Sequence, residues 1–456
     1  MRVPTFGQSL FEVTPYRIKV WFSLQVAPEI PARWSTSMKD DLARQAKVMV
    51  GAPWSVSVDL VPETSQNAAF AEKISTFEFL QANQEIEKDF DKFVALKVSA
   101  VPTGYRISAR ELDIATRIWS QTATKDVERS TDVLSASVDL LCDVFVPLVN
   151  IVSVNEKEVV AQVKAGALVP PKESPRRWNS PTRVNLGDVL LPYIRKMDRA
   201  GKVPEKGIEP VRYTVLLVRE MTESVVTCDT FSGYSQPFNT RRSSRTQQLA
   251  LVARSNQGST TLRAHERKSP DKPLIGYEIF ARRPGEDSSE YVGRTDWRGM
   301  VEIPKSDTTV RLLFIKSGTR VLAKLPVVPG LQKVVEVGLR NDEARLEAEG
   351  FLLGVQESLV DLVARREILA ARINSRIENK KLDEAESLLN ELRRLPTSEN
   401  FENRVQQRKQ LLSVSDAYAQ DQIDRLFADT RDLFRQFLSP QKVRDLQDKL
   451  QQARAK

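Results

Sequence analysis

The sequence predicts a multi-domain α+β protein: a mixed α/β domain, a small β barrel, an Ig-like β sandwich and a helical C-terminal region. Three observations carry this expectation. A chain of 456 residues exceeds what one hydrophobic core can serve and implies about three to four domains. Short runs of period two, punctuated by Gly, Pro, Asp and Ser, recur from the N-terminus to about residue 340. After Asn341 the composition turns to Leu, Ala, Glu, Arg and Gln, and Gly vanishes after Gly354.

The first domain is expected over 12–168. Ile18, Val20, Phe22 and Leu24 alternate along one strand face. Ser37-Met38-Lys39-Asp40 reads as a capping signal for a helix carrying Met38, Leu42, Ala46 and Met49. A second alternating run, Trp54–Leu60, precedes a polar helical stretch at about 68–90 and an apolar strand at 93–98. Pro102-Thr103-Gly104 then turns the chain into Tyr105–Arg110 as a hairpin. Val127, Leu134, Val138, Leu141, Phe145 and Leu148 fit an amphipathic helix, and a last hairpin is expected at Val149–Val163. Together these predict a mixed sheet with helices on one side.

The succession of strand, Tyr105–Asp113 and long helix resembles the amino-terminal domains of Tol-type and curli-associated periplasmic proteins over 12–168. The resemblance implies an envelope setting in which such helices assemble with neighbours. Arg106, Arg110, Glu111, Asp113 and Arg117 crowd this stretch and are expected to be an exposed strand face laced with ion pairs.

Residues 169–182 form a Pro-rich, basic linker containing Trp178, expected to pack on the next domain. An SH3-like β barrel is expected over 183–270, opening at Val184–Leu191 with strands at 211–219, 224–230 and 248–254. A β sandwich follows over 271–340, where four short apolar or alternating runs are separated by turn residues. Within it, Gly293-Arg294-Thr295-Asp296-Trp297-Arg298-Gly299 follows a Pro273-Leu274-Ile275-Gly276 opening. This pattern resembles carboxypeptidase-regulatory or transthyretin-like β-sandwich domains over 273–330, modules that are structural or adhesive. The local reason is turn chemistry: Gly299 reverses the chain at positive φ, and the Asp296 carboxylate accepts turn N–H groups.

The tail, 341–456, reads as α-helical hairpins. Leu382, Ala385, Leu389 and Leu392, followed by Pro396, resemble the second helix of a tetratricopeptide repeat. Lys380 stands where Gly is usual, and the single unit argues against a repeat array. Ile423, Leu426, Phe427, Leu433, Phe434, Phe437 and Leu438 make an apolar stripe, so 417–438 is a candidate for self-association.

Function is bounded more by exclusion than by motif. The charge of +8 is concentrated: 171–270 holds 18 Lys and Arg against nine Asp and Glu. Arg241, Arg242, Arg245, Arg263, Arg267 and Lys268 are the candidate anion-contacting residues, interleaved with Tyr213, Phe231, Tyr234 and Phe238. His265 is the only histidine and is expected to be structural or on the surface. Cys142 and Cys228 are expected as two buried thiols in different domains. Phosphate-binding and dinucleotide loops and Cys-x-x-Cys are absent, and none of the carboxylate pairs, such as Asp40-Asp41 or Asp287 near Glu286 and Glu290, is expected to be desolvated. No cofactor, no metal and no enzymatic activity are therefore expected. No run is long and apolar enough to suggest a transmembrane helix. The leading expectation is a bacterial envelope scaffold or adaptor whose partners are other proteins or an anionic envelope surface. The alternative is a nucleic-acid-associated protein binding through 171–270. Location follows the start of the chain: envelope or periplasm with an upstream leader, cytoplasm without one.

Overall fold

The computed structural model describes residues 9–25, 32–70, 75–155, 158–169, 180–222, 224–238, 244–253, 258–412, 414 and 417–455. Most of the Pro-rich linker, Trp178, Arg241 and Arg242 lie outside the described residues.

The first sheet has the order β2-β1-β3-β4-β5, with β6 also on β4. Its strands are β1 (Tyr16–Gln25), β2 (Trp54–Leu60), β3 (Lys92–Val101), β4 (Gly104–Asp113), β5 (Ile118–Trp119) and β6 (Ala123–Val127). β1 is central and parallel to both β2 and β3, while β3 and β4 form the expected antiparallel hairpin. A short helix, α1 (Leu10–Val13), precedes the sheet. Helix α2 (Ala32–Val50) crosses from β1 to β2, and α3 (Glu63–Phe70), α4 (Thr76–Ala82) and α5 (Gln84–Asp89) lead from β2 to β3. Because β2 and β3 flank β1 on opposite sides, crossovers of one hand put these helices on opposite faces. Both faces are therefore covered, not one. Ile18, Val20, Phe22, Leu42 and Ala46 share one core with α6 (Val133–Val144). Trp21, Phe79, Phe93 and Trp119 pack edge to face in the other. Ser37 falls inside α2, not at its start. Val127 belongs to β6, which shortens the helix expected from 127 to 148.

The barrel runs β9-β11-β12-β8-β7-β13 and closes by pairing β13 with β9. Its strands are β7 (Leu148–Asn155), β8 (Glu158–Val163), β9 (Val189–Lys196), β11 (Thr214–Thr222), β12 (Val225–Ser232) and β13 (Thr246–Val252), with β10 (Ile208–Pro210) beside β9. The hairpin expected to end the first domain thus supplies two barrel strands. Val149, Ile151, Val159, Ala161 and Val163 turn inward to meet Leu190, Leu216, Val226 and Ala250.

Two four-stranded sheets follow. One contains β14 (Ser259–Glu266), β15 (Ser269–Pro273), β18 (Met300–Pro304) and β21 (Val334–Leu339). The other contains β16 (Glu278–Arg282), β17 (Glu290–Arg294), β19 (Arg311–Ser317) and β20 (Arg320–Val327). Leu262 and Ala264 of β14 share one core with Ile279, Leu313, Ile315 and Leu325 of the facing sheet. β14, expected in the barrel, is therefore a sandwich strand, and it pairs in parallel with β21. The motif turn forms as expected. Asp296 accepts N–H groups of Arg298 and Met300, and Gly299 has φ of +73°.

The tail is built on one 36-residue helix, α7 (Glu343–Glu378). α9 (Ser398–Leu411) and α10 (Ala417–Phe437) pack on its first half; α8 (Leu382–Arg394) and α11 (Gln441–Ala455) pack on its second. Ala385, Leu389 and Leu392 are buried as expected, and Lys380 takes φ of +59°, the left-handed conformation a Gly would have supplied. Ile423, Phe427, Phe434 and Leu438 of the stripe in 417–438 are buried within the chain in the core around α7.

Candidate functional site

β4 places its side chains by simple alternation. Ile107 and Ala109 face the core shared with α2 and α6, so Glu111 and Asp113, in the same phase, must point inward too. On β3 the same face carries Val98, Leu96, Val94 and finally Lys92, which stands directly across from Asp113. The result is a fully buried charge cluster. Lys92 Nζ lies 2.7 Å from Glu111 and 2.9 Å from Asp113, with the Tyr16 and Phe145 rings 5.8 and 5.1 Å away.

The cluster draws on neighbouring groups, although Asp113 Oδ2 meets only the Lys92 ammonium and accepts no further hydrogen bond. Asp113 accepts from the N–H and hydroxyl of Thr116, which caps the turn after β4. Val146 binds both partners: its carbonyl accepts from Lys92 and its N–H donates to Glu111 at 3.1 Å. Val146 lies between α6 and β7, where the chain passes from the first domain into the barrel. Burial pushes the Glu111 carboxyl up to about 7, only partly offset by Lys92. Burial alone would lower Lys92, but Asp113 and Glu111 outweigh it and raise its pKa. One cation thus sits between two carboxylates.

A cavity of about 180 Å³ opens beside this cluster where three modules meet. Glu111, Asp113 and Trp119 come from the first domain, Tyr193 and Leu251 from the barrel, and Leu331 from the sandwich. Burial, and next the Asp113 charge, push the Tyr193 hydroxyl up to about 12. Glu111, whose carboxyl ionises near neutrality, and the neutral phenol of Tyr193 thus line one cavity. Among the described residues no cluster of three or more His, Cys, Asp or Glu side chains is arranged to hold a metal ion.

Further polar joints link the modules. Arg117, at φ of +55°, donates to the carbonyls of Val203 and Pro204 at 2.7 and 2.8 Å, tying the turn after β4 to the barrel. Gln121 donates to Leu331 O and Tyr213 donates to Glu336 O, each at 2.8 Å. Ser224 of the barrel donates to the buried Glu12 of α1. Buried Arg345 of α7 grips Asp342 and Glu349 and donates to Ser317 O of the sandwich at 2.8 Å.

The expected site residues are dispersed. Arg245 is exposed just before β13 of the barrel, whereas Arg263, Arg267 and Lys268 belong to the sandwich strand β14 and its turn. Arg263 pairs with Glu336 at 2.8 Å, and Arg267 donates to Gly338 O. His265 is buried on β14 with Nδ1 3.0 Å from Glu266 O, a structural position. Cys142 and Cys228 are free, in α6 and β12, and burial pushes both thiols up to about 12.

The expected exposed strand face holds for Arg106, paired with Asp126 at 2.8 Å, and fails for Glu111, Asp113 and Arg117, which are buried. Among the described residues the buried carboxylates are Glu111, Asp113, Glu12 and Asp342, whereas none of the pairs Asp40-Asp41 and Asp287 near Glu286 and Glu290 is buried. Sequence reasoning missed Lys92. The available signal was the phase of Glu111 and Asp113 behind Ile107 and Ala109, which demands a buried cation nearby.

No family model matches the chain. No curated protein matches it either. Solved structures found in comparison include TolB from Acinetobacter baumannii, at 11% identity and a TM-score of 0.18, covering 69% of this chain and 83% of that one. A PelC dodecamer from Paraburkholderia phytofirmans follows at 14% and 0.17, covering 30% and 91%. Lipoprotein GNA1162 from Neisseria meningitidis is 18% identical at 0.17, covering 28% and 96%. Likenesses of this size assign neither fold nor function.

Proposed function

We propose that the chain is a non-enzymatic scaffold or adaptor of the bacterial cell envelope. It holds its modules in one frame and presents their outer surfaces to other proteins or to an anionic envelope surface. The observation that carries this reading is that its buried charges are spent on joints. Lys92 and Glu111 bind the domain-crossing Val146, Arg117 binds the barrel, and Arg345 binds the sandwich to α7. Apolar contact adds to the polar joints, with Val189 and Val215 of the barrel packed on Val310, Leu312 and Val328 of the sandwich. Charges satisfied in this way stiffen a frame and leave little for a substrate. The Gly293–Gly299 motif supports reading the sandwich as an Ig-like module of the carboxypeptidase-regulatory or transthyretin-like kind.

Fractionation of the native protein, with sequencing of its amino terminus, tests the location. A processed terminus in the envelope or periplasmic fraction is expected; recovery wholly in the cytosol overturns the envelope reading. The basic excess in 171–270 and the exposed Arg245 favour a second reading, binding of single-stranded nucleic acid. Affinity falling steeply with salt would support it, and no binding at low salt would end it.

A further inference from the structure

Helix α7 is apolar on two opposite faces, and the chain covers one of them. Ala348, Leu352, Val355, Leu359 and Ile373 are buried among the other tail helices. At about 100° per residue, the opposite face carries Leu346, which lies against Gly318 of the sandwich, and then Gly350, Leu353, Val360, Ala364 and Ile368, which continue the face beyond it. All six are exposed, with Leu353, Val360 and Ile368 at 55%, 66% and 55%. Glu357 fills the one break in the series. A Cβ added at Gly350 or at neighbouring Gly354 would meet nothing within 4 Å. Two glycines weaken a helix interior, and here they leave room for another backbone to approach closely. A helix apolar on both sides is the pattern of one packed between two partners.

The charges beside this seam select the second partner. Along one edge, Glu343 and Glu347 lie near the start of α7, and Arg372 and Arg376 lie near its end. Laid antiparallel on a second copy, Glu343 meets Arg376 and Glu347 meets Arg372 in a single register. Both pairs share a midpoint between Leu359 and Val360. A parallel arrangement would instead bring the acidic end against Glu349 on the other edge. Glu347 now pairs with Arg408, and Arg376 with Glu384; both are exposed pairs, exchanged at little cost.

We propose that two copies of this chain associate through this seam as an antiparallel pair of α7 helices, with the two-fold axis beside Val360. The interface is isologous, each edge meeting its own copy. Glu357 lies close to the axis and faces its counterpart, so the dimer is reversible rather than permanent.

Sedimentation of the full chain over a range of concentrations tests this. The wild type is expected to move from monomer to dimer as concentration rises. Val360→Asp buries an unpaired charge and is expected to weaken the dimer by about a hundredfold, with the circular dichroism unchanged. Glu357→Leu, a surface change that does not threaten folding, is expected to tighten it by about tenfold. Glu347→Arg or Arg372→Glu alone weakens association, and the two together restore it. A wild type that stays monomeric at every concentration overturns the proposal. So does a dimer unmoved by both Val360→Asp and Glu357→Leu. Failure of the paired charge exchange to restore association overturns the antiparallel register.

Discussion

Lys92 Nζ stands 2.7 Å from Glu111 Oε1, with both side chains buried. A lone ion in this place would be costly, so the pair persists because Asp113, Thr116 and Val146 satisfy what the two leave open. The same groups join the first domain to the segment that enters the barrel, so the cluster governs stability and geometry together.

Lys92→Met keeps the stem and removes the charge, leaving Glu111 and Asp113 buried without a cation. A loss of about 3–5 kcal/mol is expected in urea unfolding followed by tryptophan fluorescence. Adding Glu111→Leu and Asp113→Asn is expected to recover part of that loss, because the uncompensated charges go with them.

Glu111 also makes stability depend on pH. Its carboxyl rises from the ordinary 4.5 to about 7 in the folded chain, so the native state holds a proton that the unfolded state has released. Its contribution is therefore full below about pH 4.5 and is lost as pH rises through about 7. Thermal melts from pH 4.5 to 8 should show this decline in the wild type relative to Glu111→Gln. Parallel curves for the two proteins would refute it.

Arg345→Met should loosen the tail from the sandwich. Asp342 and Ser317 O lose a buried partner, a change on the order of 3 kcal/mol. Proteolysis between β21 and α7 is expected to quicken. Lys442→Met, which removes an exposed pair with Glu367, should shift stability by no more than about 0.5 kcal/mol.

Gly299→Ala tests the sandwich turn. With φ of +73° and an added Cβ 2.3 Å from Ala264 O, the backbone itself must shift, at a cost of about 2 kcal/mol or more. Gly285→Ala, at φ of +84° with open space around it, should cost only about 1 kcal/mol. Melting temperatures of the two variants give the comparison.

Much of the chain was legible because its signals are local. The motif turn at Asp296–Gly299 and the buried side of α8 needed only neighbouring residues. The two-faced character of α7 is also written in its spacing, but which face stays bare depends on where α8 to α11 pack.

What the sequence by itself determined is the set of elements and their inward phases: alternating strands before residue 340, amphipathic helices after it, and a sharp turn wherever Gly or Asp permitted one. Only the tertiary structure decided which elements belong together. It carried β7 and β8 into the barrel across the Pro-rich linker, and β14 into the sandwich. It also turned Glu111 and Asp113 from surface charges into a buried cluster by setting Lys92 opposite Asp113. The physical reason is that periodicity says which side chains share a face. It does not say what covers that face, and the free energy of a charge depends on what covers it.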